Sequence, residues 1–269
     1  MSVSVVMCAR NEQEHIAKAL SSIRTQTLPP SEIIVVNDGS TDETSNIARS
    51  LGAKVIDLPY HAESVAGTPL LAERYNVGLA SVSNSEYVLI IGADDVFPSD
   101  YIQTLVSRME DNPKLVIASG QIGDTPTKST APRGGGRMVK TWFWRGVNGM
   151  RFPPLWCWEE YIVYKALSLG YEVRGYDDVK FQRIREEGRS VKKGVGDGRS
   201  MYCLGFWWGN VASRCITYLP KKPRLAASTF YGWLTAHNNL EKADVAEWVH
   251  NTQRKKFYSK LKLQRTMLR

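Results

Sequence analysis

Short β-branched apolar runs alternate with stretches of helical period along the first 120 residues, and this alternation is what most constrains the fold. Val3 to Cys8 precedes Glu12 to Arg24, which carries Ile16, Leu20 and Ile23 on one helical face. Glu32 to Val36 leads through a turn at Asn37-Asp38-Gly39-Ser40 into a helix capped by Thr41 or Asp42 and running to about Leu51. Lys54 to Leu58 reads as a third strand, and Leu70 to Ala80 as a helix with Leu71, Tyr75 and Leu79 facing inward. Tyr87 to Ile91, a helix from Asp100 to Asp111, and Leu115 to Gly120 continue the pattern. Strands spaced by helices of this length join through right-handed crossovers into a mostly parallel sheet, which binds ligands beyond the carboxyl ends of its strands.

That rule gives meaning to three polar clusters. Ala9-Arg10-Asn11-Glu12 follows the first strand, Asn37-Asp38-Gly39-Ser40 the second, and Gly92-Ala93-Asp94-Asp95 the fourth. Each alone is ordinary turn chemistry, but three in register mark one edge as a candidate site. Small residues and glycine permit close backbone approach there, and Asn and Asp side chains can read a base or a ribose hydroxyl. Asp94 and Asp95 repel each other unless a cation, a basic partner or water offsets their charge. A hard divalent ion, Mg²⁺ or Mn²⁺, held by one or two carboxylates and substrate phosphates meets that need; a helix N-cap is the other reading.

The segments Ala9 to Glu12, Ile33-Ile34-Val35-Val36-Asn37-Asp38-Gly39-Ser40-Thr41-Asp42 and Tyr87-Val88-Leu89-Ile90-Ile91-Gly92-Ala93-Asp94-Asp95 resemble the family 2 glycosyltransferases over about residues 1 to 190. The resemblance implies a GT-A fold, a Rossmann-like, mixed but mostly parallel sheet flanked by helices. It also implies a GDP- or UDP-sugar donor, Mn²⁺ or Mg²⁺, and transfer with inversion. Ala9, Arg10, Asn11 and Glu12 would line the base and ribose, Asp38 with Gly39 would hold the base, and Ala93 and Asp94 would complete the donor site. Asp94 falls at the second acid of the family's D-x-D signature. The first acid is replaced by Gly92, so the metal role falls to Asp94, Asp95 or both. An A-R-N-x-G run usual on the donor-side helix reads Arg74-Tyr75-Asn76-Val77-Gly78 here; Asn76 and Gly78 match, and the displaced Arg74 becomes a diphosphate contact.

Inverting transfer needs a base on the acceptor hydroxyl. The family places it in an E-D pair before a helix, a slot filled here by Trp156-Cys157-Trp158-Glu159-Glu160-Tyr161. Adjacent helical residues point about 100° apart, so one of the two glutamates reaches the cleft; by motif position it is Glu160, with Glu159 orienting or contacting acceptor and Trp158 beside it. Two acids complementing a helix N-terminus are the alternative. Pro132-Arg133-Gly134-Gly135-Gly136-Arg137 is read as a mobile acceptor loop or a plain surface loop. Gln182 and Arg185 match a Q-x-x-R-W signature, but Glu186 stands for its Trp, which argues against a processive synthase. The stretch around Arg189, Gly188 to Gly194, either closes over the diphosphate or is a solvated basic loop.

Formal net charge is +8, and its distribution is uneven. Residues 198–269 hold 13 Lys or Arg against three acids, together with 11 aromatics. The expected division is therefore a catalytic domain over 1–195 and a basic, aromatic, mainly helical extension over 196–269. The acid-free stretch around Phe206-Trp207-Trp208 and Lys221-Lys222-Pro223-Arg224, and the tail from Arg254, suit amphipathic helices on an anionic membrane surface beside a lipid-linked acceptor. No nucleic-acid motif is present, so no nucleic-acid partner is expected. The first strand is not followed by the Gly-rich basic loop of a nucleotidyltransferase; the alternative is a basic nucleic-acid- or membrane-binding protein on a catalytically inactive scaffold of the same fold. The start reaches charge by Arg10 without a basic n-region, no run of 18 apolar residues occurs, and the four cysteines form no C-x-x-C cluster. A cytoplasmic protein, peripheral on the membrane face, is the resulting expectation.

Overall fold

The computed structural model describes residues 1–124, 132–185 and 191–267, with side chains to residue 259. Two compact units are present: Met1–Ala66, Leu70–Phe152 and Leu169–Glu186 form the first, and Gly67–Pro69, Pro153–Ser168 and Glu187–Arg269 the second. The units and the expected boundary at 195/196 divide the chain differently, because 153–168 groups with the C-terminal helices.

The first unit is an eight-stranded mixed sheet flanked by helices. Its elements are β1 (Val3–Ala9), α1 (Ile16–Arg24), β2 (Glu32–Asn37), α2 (Thr44–Ser50), β3 (Lys54–Asp57), α3 (Leu70–Ala80), β4 (Tyr87–Gly92), β5 (Asp95–Val96), α4 (Tyr101–Glu110), β6 (Leu115–Ile122), β7 (Arg137–Lys140), α5 (Thr141–Asn148) and β8 (Glu172–Arg183). Strand order is β3-β2-β1-β4-β7-β6-β8-β5. The strands β3, β2, β1 and β4 pair in parallel, as does β6 with β8, while β7 runs antiparallel between β4 and β6. Val5, Val6, Met7, Val35, Val36, Leu89 and Ile91 are fully buried, as strands covered by helices on both faces require.

Pairing of Ala9 with Asn37 and of Cys8 with Gly92 sets the ends of β1, β2 and β4 level, so the three polar clusters emerge together. Helix α3 lies close on this sheet because of Gly78, where a Cβ would stand 2.7 Å from Val6 Cγ1 and 2.9 Å from Val36 Cγ2.

The glycine run at 134–136 is more than a plain surface loop at its C-terminal end. Gly136 has φ of +70° and is buried; a Cβ on it would stand 2.5 Å from Tyr101 Oη, and one on Gly135 would stand 2.6 Å from Asp95 Oδ2. Gly135 and Gly136 make a close-packed approach to β7, where only glycine leaves room.

The second unit is helical among the described residues: α6 (Trp158–Ser168), α7 (Val191–Cys203), α8 (Trp208–Tyr218), α9 (Pro223–Thr235), a 3₁₀ turn at Ala236–Asn238 and α10 (Ala246–Met267). Pro223 opens α9 at a position where its missing N–H costs no helical bond. Cys157, Tyr161, Cys203, Leu204, Val245 and Val249 form its core. No helix among the described residues is long and apolar enough to cross a membrane.

Candidate active site

The first polar group at the level edge centres on Asp38, whose side chain is almost fully buried. Arg74 of α3 donates from Nε to Asp38 Oδ1 at 2.8 Å, and His61 Nε2 meets the same oxygen at 2.9 Å. Arg10 closes the other side of the imidazole, with Nη1 at 2.7 Å from His61 Nδ1 and 2.6 Å from the Glu63 carbonyl, and a further bond to the His61 carbonyl. A carboxylate only accepts, so Nε2 carries the hydrogen given to Asp38, while Nδ1 lies between the Arg10 guanidinium and the Glu63 carbonyl, at 2.7 and 2.6 Å. Burial, with the Asp38 charge adding to it, pushes the neighbouring Cys8 thiol up to about 12. Gly39, with φ of +65°, allows Pro59 and Tyr60 to approach.

Asn11 adopts a positive φ of 52°, and it ties the first two clusters together. Its N–H donates to Ser40 Oγ at 2.9 Å, and its Oδ1 accepts from the Thr41 N–H at 2.9 Å. Asp38 N–H donates to the Ala9 carbonyl at 2.9 Å, and Glu12 N–H to Thr44 Oγ1 at 2.7 Å.

The second group is built on acids and arginines. Asp95 is fully buried and accepts Arg183 Nε at 2.7 Å, Arg183 Nη2 at 3.2 Å and the Gly92 N–H at 2.8 Å. Asp94 accepts Arg185 Nε at 3.3 Å, and Arg185 also bonds Glu12. Burial raises the Glu12 carboxyl above its usual value while Arg185 opposes the shift. Glu12 Oε2 is buried with no hydrogen-bond partner, an unusual condition for a carboxylate oxygen. Gly92, which replaces an acid of the signature, has no room for one: a Cβ would stand 2.9 Å from Asp95 Oδ2 and 3.1 Å from Asp94 Oδ1.

These contacts separate the two adjacent acids. Asp95 is committed to the buried pair with Arg183, whereas Asp94 and Glu12 share the more exposed Arg185 and Glu12 keeps one oxygen without a hydrogen-bond partner. Among the described residues no group of three or more His, Cys, Asp or Glu is arranged to hold a metal. The donor set fits a divalent cation bound through one or two carboxylates and the ligand's own phosphates.

Asn76 turns elsewhere. Its Nδ2 donates to the Phe152 carbonyl at 2.9 Å and its Oδ1 accepts the Phe152 N–H at 2.7 Å, so its amide clamps the chain after α5. Ala93 is buried. In the second unit, Trp158, Glu159 and Glu160 open α6, with Glu159 half-buried and Glu160 exposed. Glu160 Oε2 accepts from Ser200 Oγ at 3.4 Å. Arg189 lies outside the described residues.

His61 and Arg183 are the residues that sequence reasoning missed. His61 follows β3 at the same sheet edge as the three clusters, so strand order held a usable signal for it. Arg183 carried none, because its partner is 88 positions away.

A mixed sheet of this topology with its polar groups at the strand ends defines a GT-A architecture. The chain belongs to glycosyl transferase family 2, whose model matches residues 4–153. Glycosyltransferase GlyA of Streptococcus pneumoniae is 34% identical over 107 residues, which is 40% of this chain and 15% of that protein. The curated relatives are matched over only 15% to 33% of their own lengths. The mannosyltransferase PcManGT from Pyrobaculum calidifontis, solved with GDP-Man and Mn²⁺, aligns with a TM-score of 0.62 at 18% identity, over 87% of this chain and 72% of that one. TarS 1–349 of S. aureus, solved with UDP-GlcNAc, aligns at 0.54 and 16% identity, over 90% and 74%.

Proposed function

We propose that the chain is an inverting glycosyltransferase that moves a sugar from a GDP- or UDP-sugar to a hydroxyl or phosphate of a lipid-linked or membrane-associated acceptor. The observation that supports it most is the meeting of two polar groups at the ends of β1, β2 and β4: Asp38 with Arg74 and His61, and Asp94 with Glu12 and Arg185. The first group suits a base, since a buried carboxylate accepts a ring N–H and its neighbours fix its orientation. Asn11, Ala9 and Gly39 line the approach with short side chains. The second group suits ribose and diphosphate, with the Arg185 guanidinium placed to meet phosphate oxygens. PcManGT and TarS were solved with such donors.

A bound Mn²⁺ or Mg²⁺ would neutralise charge on the departing diphosphate, held by Asp94 with Glu12 beside it. The other chemistry belongs to the chain. Glu160 takes the proton of the acceptor hydroxyl as its oxygen attacks the anomeric carbon, and the nucleoside diphosphate leaves on the opposite face; Glu159 and Trp158 orient the acceptor. The basic C-terminal helices hold the enzyme at a cytoplasmic membrane face, where such an acceptor resides.

Thermal unfolding with Mn²⁺ and each of GDP, UDP, CMP and dTDP, repeated with EDTA, tests this reading. A nucleotide at 100 times its dissociation constant adds about 2.7 kcal/mol. Stabilisation by one diphosphate only with metal supports the donor site and names the donor; no response to any nucleotide overturns it in favour of a binding scaffold.

A further inference from the structure

Helix α9 is amphipathic in the wrong sense for a water-soluble surface. Its buried positions are Ala226, Ser228, Thr229 and Gly232, and Thr229 Oγ1 has no hydrogen-bond partner. Its exposed large apolar side chains are Phe230, Tyr231 and Leu234, 45%, 60% and 57% accessible. At 100° per residue these three lie within one face of the helix.

The small residues are needed where they are. A Cβ on Gly194 would stand 2.0 Å from Ser228 Oγ, one on Gly198 would stand 2.1 Å from the Thr229 carbonyl, and one on Gly232 would stand 2.2 Å from the Val195 carbonyl. Helices α7 and α9 thus touch backbone to backbone at Gly198 and Gly232, with Gly194 against the Ser228 side chain, the packing favoured where hydrophobic burial does not drive helix association. With small residues filling the inner face, the large apolar side chains of α9 fall on the outer one.

Helix α8 repeats the pattern, with Trp208, Ile216 and Leu219 exposed by 62%, 64% and 53% on one face. Basic residues bracket it. Lys221 and Lys222 lie in the α8–α9 turn and Arg224 in the first turn of α9, and at the other end Trp207 packs against Phe257 of α10 at 4.7 Å, just after Arg254-Lys255-Lys256. No acid occurs from residue 198 to 240.

We infer that α8 and α9 form an interfacial hairpin that seats Trp208, Ile216, Leu219, Phe230, Tyr231 and Leu234 in the headgroup–acyl boundary of an anionic bilayer, with the flanking lysines and arginines on its phosphates. At 11 and 13 residues, the helices are too short to span a membrane, which takes about 20, and lie in its plane instead. A second copy is the poorer occupant, since a symmetric contact would set the same basic clusters against each other. The inference extends the lipid-linked acceptor reading by naming the surface, and its test needs no sugar transfer.

Flotation of the full chain with vesicles of phosphatidylcholine, and of an equimolar mixture with phosphatidylglycerol, is the experiment. The wild type should float with the anionic vesicles only. Phe230→Ser, Tyr231→Ser and Leu234→Ser together should weaken partitioning at least tenfold. Replacement of Lys221, Lys222 and Arg224 by Gln should weaken it about a hundredfold, from a factor of about five per basic residue. Bromine-labelled lipids should quench the wild type more than Trp208→Phe, a reading independent of how the triple variants fold. Failure of the wild type to float, binding unchanged by the serines, or a concentration-dependent dimer abolished by them each overturns the inference. Nucleotide stabilisation should be the same in all variants, so failure here is distinguishable from failure of the donor site.

Discussion

Arg183 reaches Asp95 through two hydrogen bonds, at 2.7 and 3.2 Å, and the carboxylate it holds is fully buried. This pair joins the short strand β5 to the end of β8, in a register that sets Asp95 opposite Arg183, and it fixes the backbone that carries Asp94. Removing one member of a buried pair leaves an uncompensated charge, which costs far more than the pair contributes. Arg183→Met should therefore lower unfolding stability by about 3–5 kcal/mol, read from the shift of a urea denaturation midpoint. Asp95→Asn, which keeps an acceptor for Arg183 and removes the charge, should cost less, and an equal or larger loss would contradict the pairing as the cause.

Gly92 offers a second prediction, because restoring the missing acid of the signature should not help. An Asp at this position brings a third carboxylate against Asp94 and Asp95, with its Cβ already 2.9 Å from an oxygen that Arg183 holds in place. Gly92→Asp should lower the melting temperature and weaken nucleotide binding; a variant that binds metal and nucleotide better than the wild type would show that the acids rearrange freely.

The parts of the fold that were legible are those whose stabilisation is local. Helix α3 spans Leu70–Ala80 as its apolar spacing implies, and β1, β2 and β4 extend one residue beyond their apolar runs, into Ala9, Asn37 and Gly92. Strand β7 was not legible. It follows three glycines and carries Arg137 and Lys140, both buried with their charged ends on backbone carbonyls: Arg137 on Arg133 and Pro132, Lys140 on Met109. Charged residues in a four-residue run after glycines read as loop. The site divides in the same way: the clusters Ala9–Glu12, Asn37–Ser40 and Gly92–Asp95 announce themselves by following strands, while the engagement of Asn76 with Phe152, and of Asp95 with Arg183, depends on chain crossings that no local pattern records.

Glu12 should make stability depend on pH in a defined direction. Burial raises its carboxyl above the usual 4.5, so within the window between 4.5 and the raised value the folded chain holds a proton that the unfolded chain has released. Stability from this group is then greatest at low pH and falls as pH rises through the window. Unfolding free energies across that range should decline more steeply for the wild type than for Glu12→Gln. The slope is diagnostic and the offset is not, because the substitution also weakens the contact with Arg185. Equal slopes would mean that Arg185 fully compensates the burial.

Glu160 carries the last prediction. It opens α6 beside Glu159, and since neighbouring helical side chains diverge by about 100°, the two cannot serve one acceptor proton equally. Ser200 of α7 donates to Glu160 at 3.4 Å. Glu160→Gln preserves shape and that contact while removing the basic oxygen, so transfer should fall by about 10²–10⁴ with donor affinity unchanged. Glu159→Gln should lower affinity for acceptor and spare the turnover rate. Steady-state kinetics of both variants against donor and acceptor separate the roles. A wild-type rate in Glu160→Gln with a collapsed rate in Glu159→Gln would exchange them, and the acceptor would then have to approach from the half-buried side of α6.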